Sequence, residues 1–139
     1  PHHLDVLPQQ ADIMPMVDQL ELNPLYQQRE AVQYCKERNI QLEAWAPLMR
    51  GKAFSNQKLK DIAARHGKDV GQICVRWSLQ KGFLPLPKSV HPERVKSNAE
   101  VFDFSLSAEE METLDAMNTT TEYTFHPDHC DEWFRKPAR

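Results

Sequence analysis

Leu84-Pro-Leu-Pro-Lys-Ser-Val-His-Pro-Glu-Arg-Val-Lys-Ser-Asn98 reads as three pieces in succession. Phe83 to Pro87 is a short apolar strand, Lys88 to His91 a polar turn, and Pro92 opens a helix. Proline suits the first helical position, because the N–H it lacks would have had no partner there. The junction gathers a lysine (Lys88), a hydroxyl (Ser89), the free N–H groups of a helix start and an arginine one turn in (Arg94). Helix starts attract anions through those N–H groups and the helix dipole. Arginine adds a planar fork that matches phosphate oxygens, and lysine a compact point charge. The stretch therefore points to a phosphate site. It also fits an ordinary strand–turn–helix with solvated charges, since it lacks the glycines of a phosphate-binding loop.

Upstream, Met16 to Leu22 alternates polar with apolar residues (Val17, Leu20, Leu22) and stops before Asn23-Pro24, as a strand does. Ile40 to Ala46 is a second strand, with Ile40, Leu42, Ala44 and Ala46 opposite Gln41, Glu43 and Trp45. Between these strands, Glu30 to Arg38 carries Ala31, Val32 and Cys35 on one helical face, with Asn39 as its stop. Pro47 to Ser55 is long enough for a flap rather than a tight turn. Asn56 to His66 is a helix with Leu59, Ile62 and Ala63 inward, closed by Gly67. Asp69 and Gln72 form a capping-box pattern, ahead of a stripe of Val70, Ile73, Cys74 and Trp77 that Gly82 ends. Trp77 and Cys74 read as core. The helix from Pro92 ends near Ala99; Ser107 and Glu110 form a second capping box, with Leu106 and Met111 as a staple. Residues 1–14 read as the end of a helix and a loop. Strands alternating with helices predict βα units and a parallel sheet.

The chain has 139 residues, enough for one modest core, a net charge of −3 and a pI near 6.1. That balance offers no basic field for nucleic acid, and no apolar run approaches the roughly 20 residues of a membrane span. Three widely spaced cysteines (Cys35, Cys74, Cys130) suit reduced thiols, hence a cytoplasmic protein, better than a disulfide framework. The opening residue is Pro1, and no secretory signal follows, which leads us to expect that the natural N-terminus is absent. His2 and His3 read as a solvated helix start. His126, His129 and Cys130 lack a second cluster at supporting spacing, so no metal site is expected.

Several collinear segments carry a resemblance. Pro87-Lys-Ser-Val90, with Arg94, Asn98 and Val101-Phe-Asp-Phe-Ser-Leu-Ser107, resembles the C-terminal signature of the aldo-keto reductases. Val17-Asp-Gln-Leu-Glu-Leu-Asn-Pro24 is similar to that family's sixth barrel strand, and Glu43-Ala-Trp-Ala-Pro-Leu48 to the seventh. Gly67-Lys-Asp-Val-Gly-Gln-Ile-Cys-Val-Arg-Trp77 is similar to the helix leading to the eighth. The resemblance implies an α/β fold: the C-terminal portion of a TIM (β/α)8 barrel, about three parallel strands with flanking helices. A whole barrel takes about 250 residues, so residues 1–139 are expected to form a single partial domain. It implies NADPH as cofactor and a small carbonyl compound as substrate. Lys88, Ser89, Val90, Arg94, Ser97 and Asn98 would hold the adenosine 2′-phosphate and adenine; Gln19 and Trp45 would take the nicotinamide, with Ala46 and Leu48 beside the dinucleotide. Two departures stand out: Ser97 replaces a frequent glutamate or glutamine, and Ala46 a common serine. The family's catalytic aspartate, tyrosine, lysine and histidine have no counterpart here, so no catalytic residue is assigned. Residues 119–139 would shape the substrate pocket through Tyr123, Phe125 and His126; in feel the tail is nearest to bacterial diketo-gluconate reductases. The rival expectation is a non-catalytic half-barrel that binds nucleotide or self-associates, because open edges of parallel strands invite pairing.

Overall fold

Residues 1–119 are described by a computed structural model of the chain. Three strands, β1 (Val17–Glu21), β2 (Gln41–Trp45) and β3 (Leu84–Pro85), form one sheet in the order β1-β2-β3. Both pairings are parallel, with Gln19 opposite Glu43, Glu21 opposite Trp45 and Glu43 opposite Leu84. Six α-helices accompany them: α1 (His2–Asp5), α2 (Arg29–Glu37), α3 (Gln57–His66), α4 (Val70–Gln80), α5 (Pro92–Ala99) and α6 (Ala108–Asp115). The expected α/β architecture of three parallel strands with flanking helices is therefore present.

Each helix starts and stops for reasons written in its sequence. The Asn56 side chain accepts from the Leu59 N–H and caps α3, which Gly67 ends in the left-handed region. Asp69 with Gln72, and Ser107 with Glu110, close reciprocal capping boxes at α4 and α6. Leu42 and Ala44 of β2 are buried with Leu59 and Ile62 of α3 and Ile73, Cys74 and Trp77 of α4 in one apolar cluster. Helix α4 is the centre of that core: Trp77 is fully buried and meets Phe83 edge-on, ring centroids 5.9 Å apart. The C-terminal end of α6 is tied down by polar bonds. Asp115 accepts from Trp77 Nε1 at 2.9 Å and from Lys81 Nζ at 2.8 Å, while its carbonyl accepts from Arg29 at 2.7 Å.

Three expectations need correction. The third strand is shorter than Phe83 to Pro87, because Pro85 and Pro87 have no N–H to donate; ladder pairing is confined to Leu84–Pro85, with one further bond from the Leu86 N–H to the Ala44 carbonyl. Val17 does not share a face with Leu20 and Leu22; it is exposed, since neighbouring strand residues of opposite parity point to opposite sides. The segment after β2 is not a free flap: it winds into short 3-10 turns within Met49–Ser55, broken by a kink at Arg50 and Gly51, and Met49 and Ala53 are fully buried. No helix among the described residues is long and apolar enough to cross a membrane.

Candidate functional site

Parallel strands deliver their following loops to one edge of the sheet, and here the loops after β2 and β3 meet the first turns of α4 and the length of α5. They enclose a cavity of about 310 Å³. Six residues singled out from the sequence line it: Leu48, Lys88, Ser89, Arg94, Ser97 and Asn98. Lys88 and Arg94 are exposed, and among the described residues neither side chain has an anionic partner. Ser89 fixes the turn between them: its Oγ accepts from the His91 N–H at 3.1 Å. The Ser97 hydroxyl is spent on its own helix, donating to the Arg94 carbonyl at 3.3 Å. Asn98 is half-buried, and its carboxamide has no bonding partner among the described residues. The outcome is a cavity lined by two cations and a carboxamide with no partner among the described residues, Arg94 and Asn98 lying one turn apart on α5.

Four lining residues were not expected as part of the site: Gly51, Phe54, Asp69 and Gly71. Asp69 was legible as a helix cap only. Its Oδ1 is engaged by the Gln72 N–H at 2.8 Å, which aims the carboxylate at the N-terminal mouth of α4 and toward the cavity. Gly71 matters through what it omits: a Cβ there would lie only 3.0 Å from Asp69 Oδ1, so the capping carboxylate would have to give, and in ordinary contact at 3.7 Å with Asn98 Oδ1 and Leu48 Cδ2. The backbone between β2 and α3 is strained around the same cavity. Ala46, Met49 and Arg50 have φ of 49°, 52° and 52°, and Gly51 has 94°. Non-glycine residues held there cost of order 1 kcal/mol each, a cost that clusters at functional segments.

The remaining candidates lie elsewhere. Val90 is 71% exposed and does not line the cavity. Gln19, Glu43 and Trp45 share one face of the sheet, opposite to the buried Leu42 and Ala44. On that face Gln19 Nε2 donates to Glu43 Oε2 at 3.0 Å, and Trp45 is half-buried. Ala46 has its carbonyl 3.5 Å from Asn23 Nδ2, at the turn between β2 and the cavity. Tyr123, Phe125 and His126 fall outside the described residues, as do His129 and Cys130. Neither buried thiol suits nucleophilic chemistry: burial, then the negative charge of Asp69, pushes Cys74 up to about 12, and burial with Asp18 pushes Cys35 up to about 11. Among the described residues no group of three or more His, Cys, Asp or Glu side chains is arranged to hold a metal ion.

A sequence model of the aldo/keto reductase family matches residues 2–119. The chain belongs to that family. Among curated aldo/keto reductase relatives, it is 46% identical to the glyoxal reductase of Bacillus subtilis over 91% of its own length and 46% of that protein's. The structure superimposes on an aldo-keto reductase enzyme from a Medee basin deep-sea metagenome library with a TM-score of 0.89 and 39% identity, covering 93% of this chain and 49% of that one. A variant of Gox0644 in complex with NADPH matches with a TM-score of 0.83 and 35% identity, over 86% of this chain and 44% of that one. The chain thus spans about half the length of the curated relatives it matches. Its three parallel strands and their helices are part of a TIM (β/α)8 barrel of the aldo/keto reductase type.

Proposed function

We propose that this chain, as a partial barrel domain, carries the dinucleotide-holding part of an NADPH-dependent aldo/keto reductase that reduces small aldehydes or ketones to alcohols. One observation carries the reading: Lys88 and Arg94 face one cavity without an anionic partner among the described residues, with Ser89 and Asn98 completing its polar wall. The donor set fits the adenosine end of NADPH. Arg94 offers a planar fork and Lys88 a point charge to the three oxygens of a 2′-phosphate, and the Ser89 hydroxyl adds a further donor. The Asn98 carboxamide, both donor and acceptor, suits the edge of adenine, with Ser97 beside it, and Leu48 supplies an apolar wall for the ring. When bound, NADPH supplies the hydride that reduces the carbonyl carbon. Gln19 and Trp45 are assigned to the nicotinamide end, Ala46 to the dinucleotide beside it and Val90 to the adenosine end; Tyr123, Phe125 and His126 are assigned to the carbonyl substrate. In this reading the described residues bind and orient the cofactor, and none of them moves a proton to the substrate.

Binding affinity tests this without relying on turnover. Arg94→Ala removes at least one charge-assisted hydrogen bond, worth about 1.5–3 kcal/mol, so the Kd for NADPH should rise at least roughly 10- to 100-fold. NADH, which lacks the 2′-phosphate, should lose less than about threefold by the same reasoning. Equal losses for the two nucleotides would remove the 2′-phosphate assignment.

A further inference from the structure

Helix α5 carries Arg94, Ser97 and Asn98, yet none of its own residues is buried. A helix that anchors no side chain in the core needs another means of holding position. That means comes from α4. Gln72 is 6% exposed, and its Nε2 donates to the Ser97 carbonyl at 3.1 Å and the Glu100 carbonyl at 2.9 Å, the end of α5. Its Oε1 accepts from the Asp69 N–H at 3.0 Å. One carboxamide therefore spends both N–H groups on α5 and its oxygen on the turn bearing Asp69 and Gly71. These are two walls of the same cavity, and Gln72 itself does not line it. Two longer side chains reinforce the tie at the end of α5 and just beyond it: Lys68 Nζ donates to the Glu100 carbonyl at 3.3 Å, and Arg76 Nη1 to the Val101 carbonyl at 3.1 Å.

We propose that Gln72 is a positioning residue that sets nucleotide affinity by fixing the end of α5 against the first turn of α4. The inference rests on the nucleotide reading above. It adds that the reach of Arg94 and Asn98 into the cavity depends on a side chain that never touches the ligand. The capping box and the α5 tie use different atoms of Gln72, which makes the two roles separable. Glutamate keeps an oxygen for the Asp69 N–H, so Gln72→Glu preserves the cap. It removes the Nε2 donor and sets a carboxylate against two carbonyl oxygens, which breaks the tie.

The experiment measures Kd for NADPH and for 2′,5′-ADP with the full polypeptide, by fluorescence titration and calorimetry. Six proteins are compared: wild type, Gln72→Glu, Arg94→Ala, the double variant Gln72→Glu/Arg94→Ala, Ser107→Ala and Gln72→Met. Gln72→Glu should weaken both ligands about tenfold. The loss in the double variant should fall well short of the product of the single losses, because Gln72 acts through Arg94 and its helix. Ser107→Ala, which removes a helix cap at α6 remote from the cavity, serves as the control for general destabilisation and should leave both affinities within twofold. Gln72→Met, which keeps the volume but no hydrogen bond, covers the case in which Gln72→Glu fails to melt cooperatively; it should weaken both ligands in the same direction. Unchanged affinity in Gln72→Glu or Gln72→Met, multiplicative losses in the double variant, or an equal loss in Ser107→Ala would overturn the positioning role. If Arg94→Ala itself leaves NADPH affinity intact, it is the nucleotide reading that fails.

Discussion

Removing the Asp115 carboxylate is the perturbation whose cost can be worked most completely from the structure. Its two oxygens serve two partners. Oδ1 accepts from Trp77 Nε1 at 2.9 Å, and Oδ2 from Lys81 Nζ at 2.8 Å. Trp77 has no exposed surface, so in Asp115→Ala its N–H loses its bond and meets water only through the space the part-exposed carboxylate leaves. A hydrogen bond to a charged group is worth about 1.5–3 kcal/mol, much of which appears as the penalty of the orphaned partner. The Lys81 pair, with side chains 28% and 32% exposed, adds only about 0.2–1 kcal/mol. The sum is about 2–4 kcal/mol, and at roughly 4 °C per kcal/mol for a domain of this size the Tm should fall by about 8–16 °C.

Urea unfolding of the purified protein, followed by tryptophan fluorescence and circular dichroism together, measures the loss. Asp115→Asn keeps an acceptor for Trp77 without the charge and should cost about half as much. Trp77→Phe deletes the donor and leaves the Lys81 pair. A double-mutant cycle of Trp77→Phe with Asp115→Ala should return a coupling of about 1–2 kcal/mol. An Asp115→Ala protein within about 0.5 kcal/mol of wild type, or a cycle with no coupling, would refute the claim that this carboxylate joins α6 to α4.

Three further outcomes follow from local chemistry. Burial pushes the Glu110 carboxyl up, but hydrogen bonds from His66 and the Ser107 N–H, with the positive charge of Arg65, leave it net below its ordinary 4.5. A depressed carboxylate stabilises the fold above its unfolded value and loses that contribution as pH falls, so the acid limb below about pH 4.5 should flatten in Glu110→Gln when unfolding is followed against pH. The same variant keeps the capping-box acceptor and should lose roughly 1–2 kcal/mol at pH 7. With Cys130 replaced by serine, Cys35 and Cys74 should resist a thiol reagent at pH 8 until the protein is unfolded, since their thiols are pushed up to about 11 and about 12. Rapid labelling of either in the folded protein would contradict the burial. Asn56→Ala removes the side chain that accepts from the Leu59 N–H at 3.2 Å and should cost about 1 kcal/mol in thermal unfolding.

The parts of this molecule governed by local rules were legible in its sequence. Both capping boxes, the stop at Gly67, the α4 stripe and the turn into α5 follow from residue types at short spacing, and each is formed as read. What depends on distant segments was not legible. Nothing in Asp69-Val-Gly-Gln72 announces that its capping carboxylate and its glycine would form a wall beside Asn98, because that juxtaposition joins residues far apart in sequence. The length of β3 was overread for the opposite reason. The apolar pattern of Phe83 to Pro87 is strand-like, but two prolines deprive it of donors, and donors rather than hydrophobicity set how far a ladder runs. Val17 shows a third case: a strand with buried and open faces admits apolar residues on both, so composition alone did not assign its side.

The cavity is also economical in a way that explains why its residues look structural when read singly. Asp69 caps α4 and lines the cavity; Gln72 completes that cap and holds α5. Ser89 shapes the turn that presents Lys88, and the Ser97 hydroxyl is absorbed by its own helix. Of the polar residues lining the cavity, Lys88, Arg94 and Asn98 are those whose side chains make no hydrogen bond or ion pair among the described residues. Unpaired cations and a carboxamide left without a partner stabilise nothing in the fold as it stands, and the carboxamide of a half-buried asparagine is costly to leave unbonded. At this exposed surface they are open to solvent and to a ligand alike. On the proposed reading, the complement they meet is an anion beside a flat, hydrogen-bonding ring, the chemistry of a phosphorylated adenosine.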